Sequence, residues 1–375
     1  MRILHLHSSF SAGGKELRAA RLMNAFGPAV EHAIVSAQPG ALSASVAIGP
    51  ELTVAYPEDF PSLQGRPDPM RLLRLARAMR GFDLILTYNW GAMDAVLAHR
   101  LYGGWLRLGP LVHHEDGFNE DEAHGLKPVR NLFRRIALGK ASAVVVPSRR
   151  LEAIALKTWR QPRPVVRLVT NGIDVGAHGR APTPDAVPGL VKGQGEKWVG
   201  TLAGLRAVKN LPRLVRVFAS LPQDWRLVIV GEGPERTAIE TQAAACGIAH
   251  RVHLPGFVPD PSRVVGLFDI FALSSDSEQF PISVVEAMAA GLPVVSPQVG
   301  DVAEMVSVDN RPLITPAGDE AALAGSLAAL AADEAMRRGV GAANRALARA
   351  NYDENTMIGA YREAYAHALG IGSFP

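Results

Sequence analysis

Short apolar segments that alternate with stretches of helical length, twice over and with one Pro- and Gly-rich interval between, constrain this chain more than any other feature. In the first half Ile3–His7, Phe82–Thr87, Leu111–His113, Ala143–Pro147 and Val165–Val169 read as strands, with helices such as Lys15–Phe26 and Ala92–Arg100 between them. The second half repeats the pattern with Trp198–Leu202, Arg226–Val230, Val252–Leu254 and Phe271–Leu273, and helices at Leu211–Leu221 and up to Cys246. Apolar runs of this length suit strands covered on both faces, and strands joined through helices pair in parallel. The fold class expected is therefore α/β, with two doubly wound parallel sheets. Boundaries are expected at 1–175 for the first domain, 176–194 for a linker, 195–352 for the second domain and 353–375 for a C-terminal helical segment.

Composition narrows the class. Of 375 residues, 48% are apolar, enough for two packed cores. The lone cysteine, Cys246, excludes an internal disulfide, points to a reducing compartment and argues against a cysteine metal site. The N-terminus opens on a strand-like Arg-Ile-Leu-His-Leu-His with no signal-peptide pattern, and no apolar run reaches membrane-spanning length, so a soluble cytoplasmic protein is expected. A net charge of +3 is too small to argue for nucleic acid. Its distribution is uneven: Leu126 to Leu168 holds eleven Lys or Arg against one acid, Glu152. From Met70 to Arg80, Arg71, Arg74, Arg77 and Arg80 stand among leucines, as on a helix lying on anionic lipid or as on a solvated helix over a core. Peripheral contact with the inner face of a membrane is the expectation from these basic stretches.

The most informative stretch runs from Ser274 to Gly300. A strand ends in a Ser/Asp/Glu loop, and a helix of about nine residues follows, stopping at Gly291 with Pro293 behind it. The helix is apolar almost all round, so Glu286 within it needs a partner. Ser283 and Glu286 fit a capping box that would satisfy amides at the helix start. Alternatively, Glu278 in the loop and Glu286 on the helix face one crevice, beside amides suited to phosphate oxygens. Elsewhere, glycines at Gly13 and Gly14 allow close backbone approach at a strand-to-helix joint. Asn89, with Tyr88 and Trp90, ends a strand where open α/β sheets bind ligands, as an acceptor pocket or as an aromatic plug. His113, His114, Glu115 and Asp116, with His124 beyond, invite a metal reading, but the spacing fits no regular ligand motif.

Glu278, seven residues, Glu286 and then Ala-Met-Ala-Ala-Gly-Leu-Pro-Val-Val resemble the family 4 retaining glycosyltransferases of the group 1 type. Thr170-Asn171-Gly172-Ile173-Asp174 and Gly231-Glu232-Gly233-Pro234 are similar to further signatures of that family. The resemblance is strongest from Trp198 to Val306. It implies a GT-B fold, two facing Rossmann-like domains with the last helix, Glu354–Leu369, returning to the first. The first domain would be acceptor-side, and the second would bind a nucleotide diphosphate sugar. It also implies that Glu278 lies by the transferred sugar, that Glu286 binds the donor ribose, and that Lys209 with Arg206 holds the diphosphate. Phe280, Ile282 and Ser283 would offer their amides, with Gly14 on the donor side and Gly13 and Asn89 on the acceptor side. Asp116 or His113 would face the sugar's outer hydroxyls, with His114 an alternative.

No resident cofactor and no metal are expected. The implied reaction is retaining, metal-independent sugar transfer to a glycan or lipid-linked acceptor, as in cell-surface polysaccharide or glycolipid synthesis. Three departures stand out: Gln279 where the family usually has Gly, Gly204 where it usually has Arg, and Thr170 where it has Pro. Gln279, Gly204 and Asp116, at places the family usually fills with functional groups, leave open a catalytically silent nucleotide-sugar binder, and an epimerase or hydrolase of the same architecture is a further reading.

Overall fold

A computed structural model of the chain describes residues 1–118, 122 and 125–375. Met1–Thr170 together with Met357–Pro375 forms one compact unit, and Asn171–Thr356 forms a second. His124 and the acidic residues Glu120 and Asp121 lie outside the described residues.

In the first unit, strands β1 (Arg2–His7), β2 (Glu31–Ser36), β3 (Val54–Ala55), β4 (Leu84–Tyr88), β5 (Leu111–His114), β6 (Ala143–Val146) and β7 (Val166–Leu168) form a parallel sheet in the order β3-β2-β1-β4-β5-β6-β7. Helices α1 (Gly14–Phe26), α2 (Pro69–Ala78), α3 (Met93–Leu106), α4 (Pro128–Ala137) and α5 (Arg149–Lys157) connect them. Alternation along each strand sorts the core into two layers. Leu4, Leu6, Ile85, Val144 and Val146 face α2, α3 and α5. Ile3, Leu84, Leu86, Val112 and Val145 face the opposite way.

In the second unit, α6 (Val175–His178) precedes β8 (Lys197–Leu202), α7 (Leu211–Phe218), β9 (Trp225–Val230), α8 (Arg236–Ala245), β10 (Val252–Gly256), β11 (Ile270–Ala272), α9 (Ile282–Ala290), β12 (Val294–Pro297), α10 (Val302–Met305), β13 (Ile314–Thr315), α11 (Glu320–Ala332) and α12 (Glu334–Asn351). The parallel sheet order is β10-β9-β8-β11-β12-β13. The closing helix α13 (Glu354–Leu369) belongs, from Met357 on, to the first unit, where Met357, Tyr361 and Tyr365 join the layer of Ile3 and Val112.

Strand order reverses beside β1 in one sheet and beside β8 in the other, so each unit has a switch point: between β1 and β4, and between β8 and β11. In doubly wound sheets ligands bind outside the carboxyl ends of the strands at such points. His7 pairs with Tyr88 in register there, and Gly200 with Phe271.

One expectation needs correction, and one pair of alternatives is decided. Ser283 and Glu286 form no capping box: the residue before the first turn of α9 is Pro281, whose side chain caps nothing, and Glu286 sits in the second turn. The leucines of α2 do not face outward. Leu72 and Leu75 are core residues, and Arg71 is buried, bonding Asp94 at 2.6 Å and the Ser62 carbonyl at 3.0 Å. This helix is a solvated face over a core.

Candidate functional site

At the switch point of the second unit, the loop after β8 and the loop after β11 are tied together by their backbones and side chains. The Asp276 amide donates to the Val208 carbonyl at 2.8 Å, and the Ser274 hydroxyl to the Lys209 carbonyl at 3.0 Å. Arg213 reaches across to the Ser274 carbonyl at 3.1 Å and to the Asp276 carboxylate at 2.7 Å. Within this frame Lys209 Nζ lies 2.5 Å from Glu278 Oε1, which also accepts from the Ser275 hydroxyl at 2.7 Å. Both charged side chains are partly exposed, 24% for Lys209 and 11% for Glu278, so the pair opens on solvent.

Arg206 is exposed, and its Nε lies 3.7 Å from the place a Cβ on Gly204 would occupy. The guanidinium thus folds back to the point where a residue at 204 would project. The next turn is fixed by Gly231, whose φ of +144° and position 1.8 Å (as an ideal Cβ) from the Ala203 carbonyl leave room for no side chain. That close approach holds the Ala203–Leu205 backbone in place, with the Leu205 amide bonded to the Glu232 carbonyl at 2.9 Å.

Behind the Glu278 loop, the Asp301 amide donates to the Gln279 carbonyl at 3.1 Å, and Gly300, with φ +56°, packs under the Glu278 and Gln279 carbonyls. Phe280 is buried and meets Tyr352 edge-on at 5.8 Å. The Gln279 side-chain oxygen is buried and has no hydrogen-bond partner among the described residues. Along α9 the residues that keep exposure are Ile282, Ser283, Glu286 and Ala290, a single stripe at helical spacing. Glu286 lies 3.9 Å from His178 Nε2, and the other ring nitrogen of His178 donates to the Asp174 carbonyl at 2.8 Å. The uncapped start of α9, with Lys209 and Arg206, gives this end of the sheet a set of groups suited to an anion.

The switch point of the first unit is different in character. His5 and His7 on β1, Tyr88 on β4, His114 on β5 and Tyr361 and Tyr365 on α13 form a buried cluster. His7 stacks on Tyr88 at 3.9 Å and Tyr88 on His114 at 4.5 Å. Hydrogen bonds join His32 to His5 at 3.0 Å, His5 to the Tyr88 hydroxyl at 3.2 Å and His114 to the Tyr365 hydroxyl at 2.9 Å. Burial, before any neighbouring charge, drives every one of these histidines toward its neutral form: His5 and His7 well below the usual value, His32 to about 4 and His114 to about 3. Burial likewise pushes Tyr361 up to about 12.

Asp116 lies at the mouth of this cluster. Arg18 of α1 grips it at 2.5 and 2.9 Å, and its amide donates to the Asn89 side-chain oxygen at 2.8 Å. Burial works to raise the Asp116 value, but the Arg18 charge and hydrogen bonds outweigh it and hold the carboxyl below its ordinary range. Lys15 stands beside them, and burial first, then Arg18, bring it down to about 8. At the start of α1, Glu16 pairs with Lys15, and its carboxylate folds to within 2.8 Å of where a Gly13 side chain would begin. Gly13 therefore makes room for a carboxylate of this chain, while Gly14 is exposed at the first helical position.

His113 and His114 point to opposite faces of the sheet. His113 is 0% exposed, bonds the Thr87 hydroxyl at 2.9 Å and lies 3.7 Å from Glu115, away from Asp116. The structure thus brings Asp116, Asn89 and His114 to one mouth and leaves His113 inside. The cluster that suggested a metal diverges: Glu115 turns to Arg134 at 3.2 Å and Asp116 to Arg18, and among the described residues no three His, Cys, Asp or Glu side chains are grouped to hold an ion. Arg18, Lys15, His7 and Ser275 were missed in the sequence. The recoverable signal was His5 and His7 at strand spacing, which places both rings on one sheet face.

Two doubly wound parallel units, each with polar and charged groups at its switch point, fit the GT-B fold class. Family models match in the same order: Glycosyltransferase Family 4 over residues 12–177 and Glycosyl transferases group 1 over residues 185–347. The chain belongs to the group 1 glycosyltransferases of the family 4 type, and its activity class is glycosyl transfer. It is 24% identical over 280 residues to the N-acetyl-alpha-D-glucosaminyl L-malate synthase of Bacillus anthracis, covering 74% of this chain and 72% of the relative. It is 25% identical over 299 residues to the lipopolysaccharide core biosynthesis glycosyltransferase LpsD of Rhizobium meliloti, covering 78% of each. Among solved structures, Anabaena HepE in complex with UDP superposes with a TM-score of 0.81 at 22% identity, covering 98% of this chain and all of that one. Among the described residues no helix is long and apolar enough to cross a membrane.

Proposed function

We propose that this protein is a retaining, metal-independent glycosyltransferase that takes a sugar from a nucleotide diphosphate donor, UDP-linked in the first instance, and transfers it to a glycan or lipid-linked acceptor. The observation that carries the reading is the Lys209–Glu278 pair beside the uncapped start of α9. Transfer breaks the bond between the sugar's anomeric carbon and a phosphate oxygen, so negative charge gathers on the departing diphosphate. Lys209, Arg206 and the amides around Phe280 to Ser283 stabilise that charge, the work a metal ion does elsewhere. In retaining transfer the acceptor hydroxyl attacks on the face the diphosphate leaves, and its proton passes to the leaving oxygen. Glu278, already held by Lys209 and Ser275, orients the sugar, and Glu286 on the exposed stripe of α9 takes the ribose hydroxyls. Asp116, fixed as a carboxylate by Arg18, accepts from hydroxyls on the acceptor side.

The UDP donor class is supported by the UDP-bound HepE structure, and the acceptor class by the LpsD relative. No resident cofactor enters this scheme. A second reading, a silent nucleotide-sugar binder, draws on Gln279, whose side chain stands where the family leaves the diphosphate bare backbone. The test is a thermal-shift screen with UDP, GDP, ADP and dTDP and their sugars, with and without EDTA, followed by analysis of the anomeric configuration of the product. Stabilisation by one nucleotide sugar that EDTA does not change, lost in Glu286→Ala, supports the donor site. Turnover that needs magnesium overturns the metal-free scheme, and binding without transfer across an acceptor panel selects the silent binder.

A further inference from the structure

The arginine-rich helix α2 does not present an apolar face to solvent, but its neighbours do. On α3, Leu101 is 55% and Trp105 69% exposed. On α4, Val129 is 80%, Leu132 56% and Ile136 47% exposed, at the i, i+3, i+7 spacing of one helical face. The inward side of α4 is unusual: Arg134 is 0% exposed and bonds Glu115 and Glu122, while its guanidinium stacks on Trp90, Phe118 and Trp159. A helix that buries an arginine and exposes Val, Leu and Ile is inverted relative to a solvated helix. The two helices pack side by side in the outer layer of the same sheet face, with Arg100 of α3 running against Gly139 just past α4.

Among the described residues, the exposed charges carried by α3, α4 and the turns just past them have one sign. Arg107, Arg135 and Lys140 are exposed beside the apolar residues. Among the described residues from Ala95 to Leu151 the carboxylates are Glu115, Asp116 and Glu122, and each is turned inward onto Arg18 or Arg134. An outward apolar patch with a tryptophan at its edge and a cationic rim is the chemistry of a face that seats in the interfacial zone of a bilayer. A nucleic-acid partner would call for cations without the aliphatic centre.

We infer that the outer face of α3 and α4 docks on an anionic phospholipid surface, with Trp105, Leu132 and Ile136 entering the interfacial zone and Arg107, Arg135 and Lys140 meeting the headgroups. This assignment stands on the surface alone and does not depend on the donor or acceptor proposed above. Each cation near an anionic bilayer contributes about fivefold to partitioning.

The structure supplies its own reporter. Trp159, Trp198 and Trp225 are fully buried and Trp90 is half-buried, leaving Trp105 as the one exposed indole among the chain's five tryptophans. The experiment mixes the full chain with vesicles of phosphatidylcholine alone and with vesicles of phosphatidylcholine and phosphatidylglycerol in equal parts, reading tryptophan emission and co-sedimentation. A blue shift and sedimentation on the anionic vesicles alone are expected, the shift being lost in Trp105→Phe. Arg135→Glu with Lys140→Glu should weaken partitioning by at least about 25-fold, and Leu132→Ser with Ile136→Ser by at least about tenfold. All four positions are exposed, and unchanged circular dichroism and melting temperature show that the variants fold. Absence of binding to anionic vesicles, or binding that these substitutions leave unchanged, overturns the proposal. So does a concentration-dependent dimer in sedimentation velocity that Leu132→Ser with Ile136→Ser dissolves in a protein without vesicle affinity, since the face would then belong to a second copy.

Discussion

Acidification from pH 7 to pH 5 should destabilise the first unit by several kcal/mol, and the buried histidines set the amount. The folded values of His32 and His114, about 4 and about 3, lie below the ordinary value of 6.5. Between the two values the unfolded chain binds a proton that the folded unit refuses, so stability is complete above about pH 6.5 and falls as the pH drops toward the folded value. Over that interval each of the two contributes a loss of about 2 kcal/mol. Together they remove about 4 kcal/mol from a unit whose whole stability is of order 5–15 kcal/mol. His5 and His7 are lowered by burial in the same direction and deepen the loss. The Arg18–Asp116 pair does not contribute in this window, because Asp116 is lowered from an ordinary value of 3.8 and is ionised in both states above pH 5. The assay is amide exchange of β1 and β5, corrected for intrinsic rates, which reads the first unit separately from the second. His114→Gln should lower stability at pH 7 through its lost stacking and its bond to Tyr365, and should also flatten the pH slope by about one proton. Equal protection at pH 5 and pH 7, or an unchanged slope in His114→Gln, would refute the assignment of these rings as neutral.

Four further outcomes follow from particular contacts. Lys209→Ala, which removes the cation 2.5 Å from Glu278, should reduce kcat by about 100-fold or more in transfer assays while the melting temperature changes little. Gln279→Gly, which deletes a buried amide oxygen lacking a partner among the described residues, should change KM for the nucleotide sugar more than it changes stability. Arg134→Met leaves Glu115 buried without its cation and leaves Glu122, among the described residues, with Arg130 alone, at 3.1 Å, and should cost about 3–5 kcal/mol in urea denaturation. Lys15, held at about 8 mainly by burial and then by Arg18, should titrate near that pH when followed by NMR of the dimethylated amine, and Asp116→Asn should lower it further because Asp116 raises it.

Local pattern carried the fold well and the site unevenly. Strand and helix lengths were legible where a strand is a short, fully buried run, as β4, β5 and β6 are, and where a helix stops at a glycine, as α1 does at Gly27 and α9 at Gly291 with φ +84°. Glu278 and Lys209 were found through the motif in which they lie, and their contact at 2.5 Å joins loops 69 residues apart that no local signal pairs. The capping box at Ser283 failed because Pro281, two residues earlier, already fixes the entry of the helix. Arginine spacing alone does not tell which side of α2 is inward, and Asp94, on the next helix, decides it for Arg71 in favour of the solvated face over a core. Arg18 was invisible because a basic residue in an amphipathic helix looks solvated until the chain returns, 98 residues later, with Asp116.

The contrast between the two switch points carries a chemical consequence. In the second unit the carboxylate at the strand end, Glu278, is paired with a lysine and a serine and remains partly exposed, so its partners can be exchanged for those of a ligand. In the first unit the equivalent carboxylate, Asp116, is gripped by two nitrogens of an almost fully buried arginine whose ring neighbours are neutral. Releasing Asp116 would leave Arg18 buried without its counter-charge, a cost far above that of one hydrogen bond. In the proposed reaction Asp116 is therefore a fixed acceptor that keeps its charge and its place, and no proton is assigned to it.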